Sequence, residues 1–167
     1  MAARKSLERD IGSLYFILER IDDLKVQYEL IAYLKNNPSL SYENKVRFIN
    51  RGVFGSLAQT IQAIGERGKG LTESTKVALI CIPFSDLQEI RNLISHKYAG
   101  ATVYKGKIIS IKTAKSVLVR DVLVSDRCIS ALQERLNHCK KVVANRQNQG
   151  STNMQNGYSS YKPNRLI

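Results

Sequence analysis

Residues 7 to 37 read LERDIGSLYFILERIDDLKVQYELIAYLKNN, and the reading of this stretch decides the fold class. Leu7, Ile11, Leu14, Leu18, Ile21, Leu24, Tyr28 and Ile31 recur in steps of three and four, the period that lines up one face of an α-helix. Glu8, Arg9, Glu19, Arg20, Asp22, Asp23 and Lys25 fill the other face. One long amphipathic helix is therefore predicted, ending near Asn36-Asn37-Pro38. A helix of that length with one apolar stripe must bury it against other helices, so the expected architecture is an all-α bundle.

The rest of the chain extends the pattern. A second helix is predicted to start after Ser39 or Ser41 and to run to about Ile64, with Val46, Ile49, Val53, Leu57, Ile61 and Ile64 inside. Gly52 and Gly55 fall within it at a cost of about 1 kcal/mol each relative to Ala, so they either allow close backbone approach or mark a kink. Gly65 to Gly70 is expected to close the element. Thr72 is placed to cap a short helix through about Ile80, and Pro83 ends it. Ser85 and Gln88 then have capping-box spacing for a third main helix ending near His96 to Gly100. Residues 102 to 111, TVYKGKIISI, read as a small hairpin turning at Lys105-Gly106, and residues 113 to 124 fit helix or strand. Ser125 and Asp126 open a last helix with Ile129, Leu132, Leu136, Cys139 and Val143 on its buried line. The prediction is four to five helices, with a hairpin or loop insert between the last two long ones.

The chain has 167 residues, 26 Lys plus Arg and 14 Asp plus Glu, a net charge of +12. That surplus makes a polyanion a plausible partner through counterion release. Its distribution is more telling. From Arg91 to Arg120 stand Arg91, Lys97, Lys105, Lys107, Lys112, Lys115 and Arg120 without one acid, and a second acid-free stretch follows Glu134. One such block is ordinary solvated surface; two in one small domain favour a nucleic acid or another phosphate-rich target, with Lys97, Lys105, Lys107, Lys112 and Lys115 as candidate nucleic-acid contacts. From Asn145 onward the chain is rich in Asn, Gln, Ser and Gly, and residues 145–167 are expected to form a disordered basic tail. The apolar run from Val77 to Phe84 is too short to span a bilayer, and the N-terminus carries no apolar export signal. Cys81, Cys128 and Cys139 are odd in number and lack Cys-x-x-Cys spacing, which speaks against a disulfide framework or zinc knuckle and for a reduced, cytoplasmic protein.

One string could carry chemistry: Glu89-Ile90-Arg91-Asn92-Leu93-Ile94-Ser95-His96-Lys97-Tyr98. On an ideal helix Arg91 and His96 lie about 140° apart, so the long arginine must swing toward whatever the imidazole touches. Asn92 and His96, four apart, share a face, and the amide can fix the imidazole tautomer. Gln88, Arg91, Asn92, Ser95 and His96 form one polar stripe, which by itself is what the wet side of any helix looks like. His138, beside Lys140 and Lys141 and one step off the buried line, reads as a surface residue. No pair of potential ligands among the histidines and cysteines has helical metal-site spacing, and Gly65-Glu-Arg-Gly-Lys-Gly70 lacks the spacing of a phosphate loop, so neither metal nor cofactor is expected.

The string Arg91-Asn92-x-x-x-His96-x-Tyr98 resembles the Arg-x4-His-x-Tyr signature of the HepT-like branch of the HEPN superfamily, bacterial toxins that cut RNA. The resemblance implies a HEPN-like helical domain over residues 1–144 and a homodimer whose two motifs line one cleft. It further implies metal-independent RNA cleavage with Arg91 and His96 catalytic and Asn92 and Ser95 orienting them. In that group the tyrosine matching Tyr98 receives AMP from a partner nucleotidyltransferase acting as antitoxin. The hairpin insert and the Asn/Gln-rich tail depart from a minimal member. The rival expectation, from another class, is a non-catalytic helical module of the same fold that binds nucleic acid or a regulatory partner.

Overall fold

In the computed structural model of the chain, residues 2–84, 86–87, 101–104, 107–110 and 122–157 are described. Helix α1 (Ala2–Asn36) spans the length expected from its period. Leu14, Ile17, Ile21, Leu24 and Ile31 are buried along it, with Leu7, Ile11, Leu18 and Tyr28 packed at the margin of the core. At 1.5 Å per residue a 35-residue helix is about 50 Å long, enough to serve as the axis against which the other helices lie.

After Pro38 the chain turns, and α2 (Tyr42–Arg47) begins with Ser41 as its cap: the Ser41 hydroxyl accepts from the Asn44 amide at 3.3 Å. A π-helical segment (Phe48–Val53) joins it to α3 (Phe54–Lys69), so the second predicted helix exists but bulges in its middle. Gly52 and Gly55 mark that irregularity; a Cβ at either would meet nothing within 4 Å among the described residues, so neither serves close packing there. Ile49, Val53, Leu57, Ile61 and Ile64 are buried as expected, whereas Val46 is 37% exposed. The helix also runs past Ile64 to Lys69, through Gly65 and Gly68, and stops at Gly70. Those two inner glycines do not break it; they lie where Leu87 and Phe84 pack against it.

Helix α4 (Glu73–Ala78) is short; Ile80, expected within it, lies outside and is 85% exposed. Strands β1 (Ala101–Tyr104) and β2 (Lys107–Ser110) pair antiparallel, Ala101 opposite Ser110 and Tyr104 opposite Lys107, the hairpin predicted around residues 105–106. Helix α5 (Asp126–Gly157) opens on Ser125, whose hydroxyl accepts from the Cys128 amide at 3.3 Å, and buries Cys128, Leu132, Leu136 and Cys139. It stays helical through Gly157, beyond the boundary at Ala144 expected from composition. Once a helix is nucleated, each added residue costs little, and no proline occurs between Asp126 and Pro163. Helix α1 packs on both α3 and α5, and α4 meets α5: an all-α bundle with a small hairpin between its last two long parts. No helix among the described residues is long and apolar enough to cross a membrane.

Candidate functional site

Arg91, Asn92, Ser95, His96, Lys97, Tyr98, Lys105, Lys112 and Lys115 lie outside the described residues, as does the capping pair Ser85 and Gln88. Lys107 closes the hairpin opposite Tyr104. His138 is exposed on α5, as its position off the buried line predicts. Around the motif, the described residues show how the chain leading into it is seated.

The seat begins with an acid inside the core. Asp10 is fully buried on the α1 face that carries Leu14, Ile17 and Ile21. Its Oδ1 accepts from the Thr72 backbone N–H at 3.1 Å; its Oδ2 accepts from the Thr72 hydroxyl, and from the Thr75 hydroxyl at 2.7 Å. Arg135 of α5 reaches the same spot, donating to Thr75 Oγ1 from Nε at 3.1 Å and from Nη2 at 2.9 Å, and from Nη2 to Ser74 Oγ at 3.2 Å. The Thr75 hydroxyl thus relays between a buried carboxylate and a guanidinium, so neither charge is left bare in a low-dielectric interior. Arg9 also donates to the Gly70 carbonyl. Together these bonds fasten the 70–75 corner to α1 and α5.

This explains a departure from expectation at Thr72. It occupies the N-cap position of α4, yet its side chain makes no capping hydrogen bond; its hydroxyl lies against the Asp10 carboxylate instead, to which it donates. Nothing in a local reading of residues 72–78 signals that. The signal lay in α1: Asp10 sits at helical spacing from Leu14 and Ile17, an acid on an apolar line, which without a partner would be too costly to bury.

Downstream, Phe84 and Leu87 dock onto α3. Leu87 is fully buried, and a Cβ on Gly65 would lie 3.4 Å from its Cβ. A Cβ on Gly68 would collide with Phe84 Cδ1 and Cε1, so only glycine leaves room for that ring. The chain entering residues 88–100 is therefore held at two successive points, the polar knot at 72–75 and the glycine notches of α3.

A groove of about 690 Å³ runs between α1 and α3, walled by Phe16, Arg20, Gln27, Ser56 and Gln59 among others. Phe16 has the guanidiniums of Arg20 and Arg67 over its ring, at 5.2 and 4.8 Å from the centroid. Arg20 is also paired with Asp23 at 2.7 Å and Glu19 at 3.1 Å, which leaves it little charge to offer an anion. No group of three or more His, Cys, Asp or Glu residues that could hold a metal ion occurs among the described residues. The thiols of Cys128 and Cys139 are buried and equally unsuited to surface chemistry. Burial, reinforced by the neighbouring Cys81, pushes the Cys128 thiol up to about 12. Burial likewise raises Cys139, against the opposing pull of Arg135.

The chain is similar to a protein of Methanocaldococcus jannaschii named "Putative RNase MJ1216": the two are 29% identical over 122 residues, which cover 69% of this chain and 92% of that protein. No family model and no solved structure matches the chain.

Proposed function

We propose that this protein is a metal-independent endoribonuclease of HEPN type in which Arg91 and His96 carry the reaction. The observation that carries this reading is the single string joining arginine, amide, imidazole and tyrosine at residues 91–98, within an all-α bundle. The similarity to a protein named as a ribonuclease, along most of that protein's length, supports it.

In the reaction one imidazole takes the proton of a ribose 2′-OH, and the freed oxygen attacks the adjacent phosphorus. The bond from phosphorus to the 5′-oxygen breaks, and a second, protonated imidazole gives its proton to that leaving oxygen. The products are a 2′,3′-cyclic phosphate and a 5′-hydroxyl. Arg91 stabilises the charge on the five-coordinate phosphorus. The resemblance implies that two protomers bring their motifs to one cleft, which would supply an imidazole for each proton task. Asn92 and Ser95 hold the imidazole, and Tyr98 is the position at which an antitoxin nucleotidyltransferase would attach AMP, blocking RNA by bulk and like charge.

The test is RNA cleavage in EDTA. Wild type yields 2′,3′-cyclic phosphate ends, and His96→Ala stops cutting by at least about 100-fold while keeping the fold. Undiminished cutting by His96→Ala removes the mechanism. Salt-sensitive RNA binding by both proteins with cleavage by neither would establish the second reading, a non-catalytic nucleic-acid-binding module, which the two acid-free basic stretches favour.

A further inference from the structure

Helix α5 changes character along its length. Up to Cys139 it has a buried line; Val142 and Val143 are half-buried, and every residue from Ala144 to Gln149 is exposed although the helix continues to Gly157. A helix that is polar all round gains nothing from core burial over that stretch. Its charge is one-sided as well, since no Asp or Glu occurs after Glu134.

The cations of α5 are not equivalent. Arg135 is spent inside the fold on Thr75 and Ser74. The Lys140 ammonium sits 4.6 Å from the ring centroid of Tyr15, itself half exposed on α1. Lys141 and Arg146 are exposed, and neither has a carboxylate partner among the described residues. Asn137, Lys141 and Asn145 recur at four-residue steps, so two amides flank one ammonium on the outward side of the helix.

We propose that this side of α5, with Asn137, Lys140, Lys141, Asn145 and Arg146 and with Tyr15 beside it, is a docking surface for single-stranded RNA. The choice of RNA rests on the ribonuclease reading above; the surface itself uses none of the motif residues. Ammonium and guanidinium groups neutralise phosphates, the amides pair with phosphate and 2′-OH, and the Tyr15 ring offers a face to a base. An anionic bilayer is the poorer fit, because a helix that binds there needs an apolar face to insert, and the stretch from Asn145 to Gln149 has none.

The test measures binding of a fluorescent single-stranded RNA of about twenty nucleotides, a length that covers one or more single-strand sites, across a salt series. Full-length protein carrying His96→Ala is used so that the probe stays whole. Adding Lys141→Ala and Arg146→Ala lowers the slope of log affinity against log salt by about 1.4, two contacts at about 0.7 each, which is about 25-fold weaker binding at about 0.1 M salt if the curves meet at about 1 M. Asn137→Ala with Asn145→Ala weakens binding at all salt concentrations without changing the slope. All four side chains are exposed and alanine favours helix, so circular dichroism is expected to be unchanged. Unchanged affinity and slope in the lysine–arginine variant overturns the proposal, as does equal competition by polyglutamate or by anionic phosphatidylserine vesicles. The two readings fail separately: loss of binding in the variant upholds the surface even if wild type cuts no RNA, whereas active cutting with unaltered binding upholds the nuclease and removes the surface.

Discussion

Replacing Asp10 by Ala is the sharpest probe of the seat that leads into the motif. The substitution removes acceptors for three donors, the Thr72 amide, the Thr72 hydroxyl and the Thr75 hydroxyl. It also takes from half-buried Arg135 the carboxylate it reaches through Thr75. A hydrogen bond to a charged group contributes about 1.5–3 kcal/mol, but the three share one carboxylate and do not add in full. Leaving a buried donor without an acceptor costs about 1–3 kcal/mol for each group, so with three donors sharing one carboxylate the expected loss is about 3–5 kcal/mol. For a chain of this size it corresponds to a fall in melting temperature of roughly 6–20 °C, at about 2–4 °C per kcal/mol. Urea unfolding followed by circular dichroism reads the change as a lower midpoint at constant slope. Asp10→Asn keeps one acceptor oxygen and is expected to lose less than Asp10→Ala. A double-mutant cycle with Arg135→Met should then show coupling of about 0.5 kcal/mol or more, carried through the Thr75 hydroxyl. A loss below about 1 kcal/mol for Asp10→Ala, less than one charged hydrogen bond contributes, with unchanged slope, would mean that the knot is not what holds the 70–75 corner.

Three further outcomes are expected. Gly65→Ala gains up to about 1 kcal/mol of helix propensity in urea unfolding, whereas Gly68→Ala loses that gain to the clash with Phe84 and comes out the less stable of the two; equal stabilities would remove the glycine notch. For Cys128, the unfolded thiol ionises near pH 9 while the folded one stays protonated to about 12, so the folded state binds the extra proton between them. The stability that wild type holds over Cys128→Ala is therefore full below about pH 9 and falls as pH rises, by up to about 1.4 kcal/mol per unit, and a difference that stays flat from about pH 8 to 11 would contradict the burial argument. Ser125→Ala uncaps α5 and is expected to lower stability by about 1 kcal/mol in thermal melts, against no change if the Cys128 amide finds another acceptor.

The helix class, the order of the described elements and most of the described core were legible because they are properties of local repetition. The three-and-four spacing of Leu14, Leu18, Ile21 and Leu24 survives any tertiary arrangement, since each apolar residue on that line must leave water whatever covers it. Ser41 as one of two candidate starts, Ser125, and a hairpin turning at residues 105–106 were equally readable, because caps and tight turns are satisfied within a few residues. The candidate catalytic string was likewise visible as a pattern of residue types, and Arg91 and His96 remain assignments drawn from it.

What tertiary structure alone decided are the partnerships between distant residues. Asp10 and Thr72 are 62 positions apart, and no local rule announces that the threonine at the N-cap position of α4 gives its proton to a carboxylate across the core. The same holds for Gly68, whose small size matters only because Phe84 folds back onto it, and for Arg135, which the sequence counts as surface charge and the fold consumes. Patterns of period and cap are set by each residue's neighbours along the chain. Burial of a charge, and the room a side chain finds, depend on what the folded chain brings from elsewhere, and there the energy is decided by geometry in space.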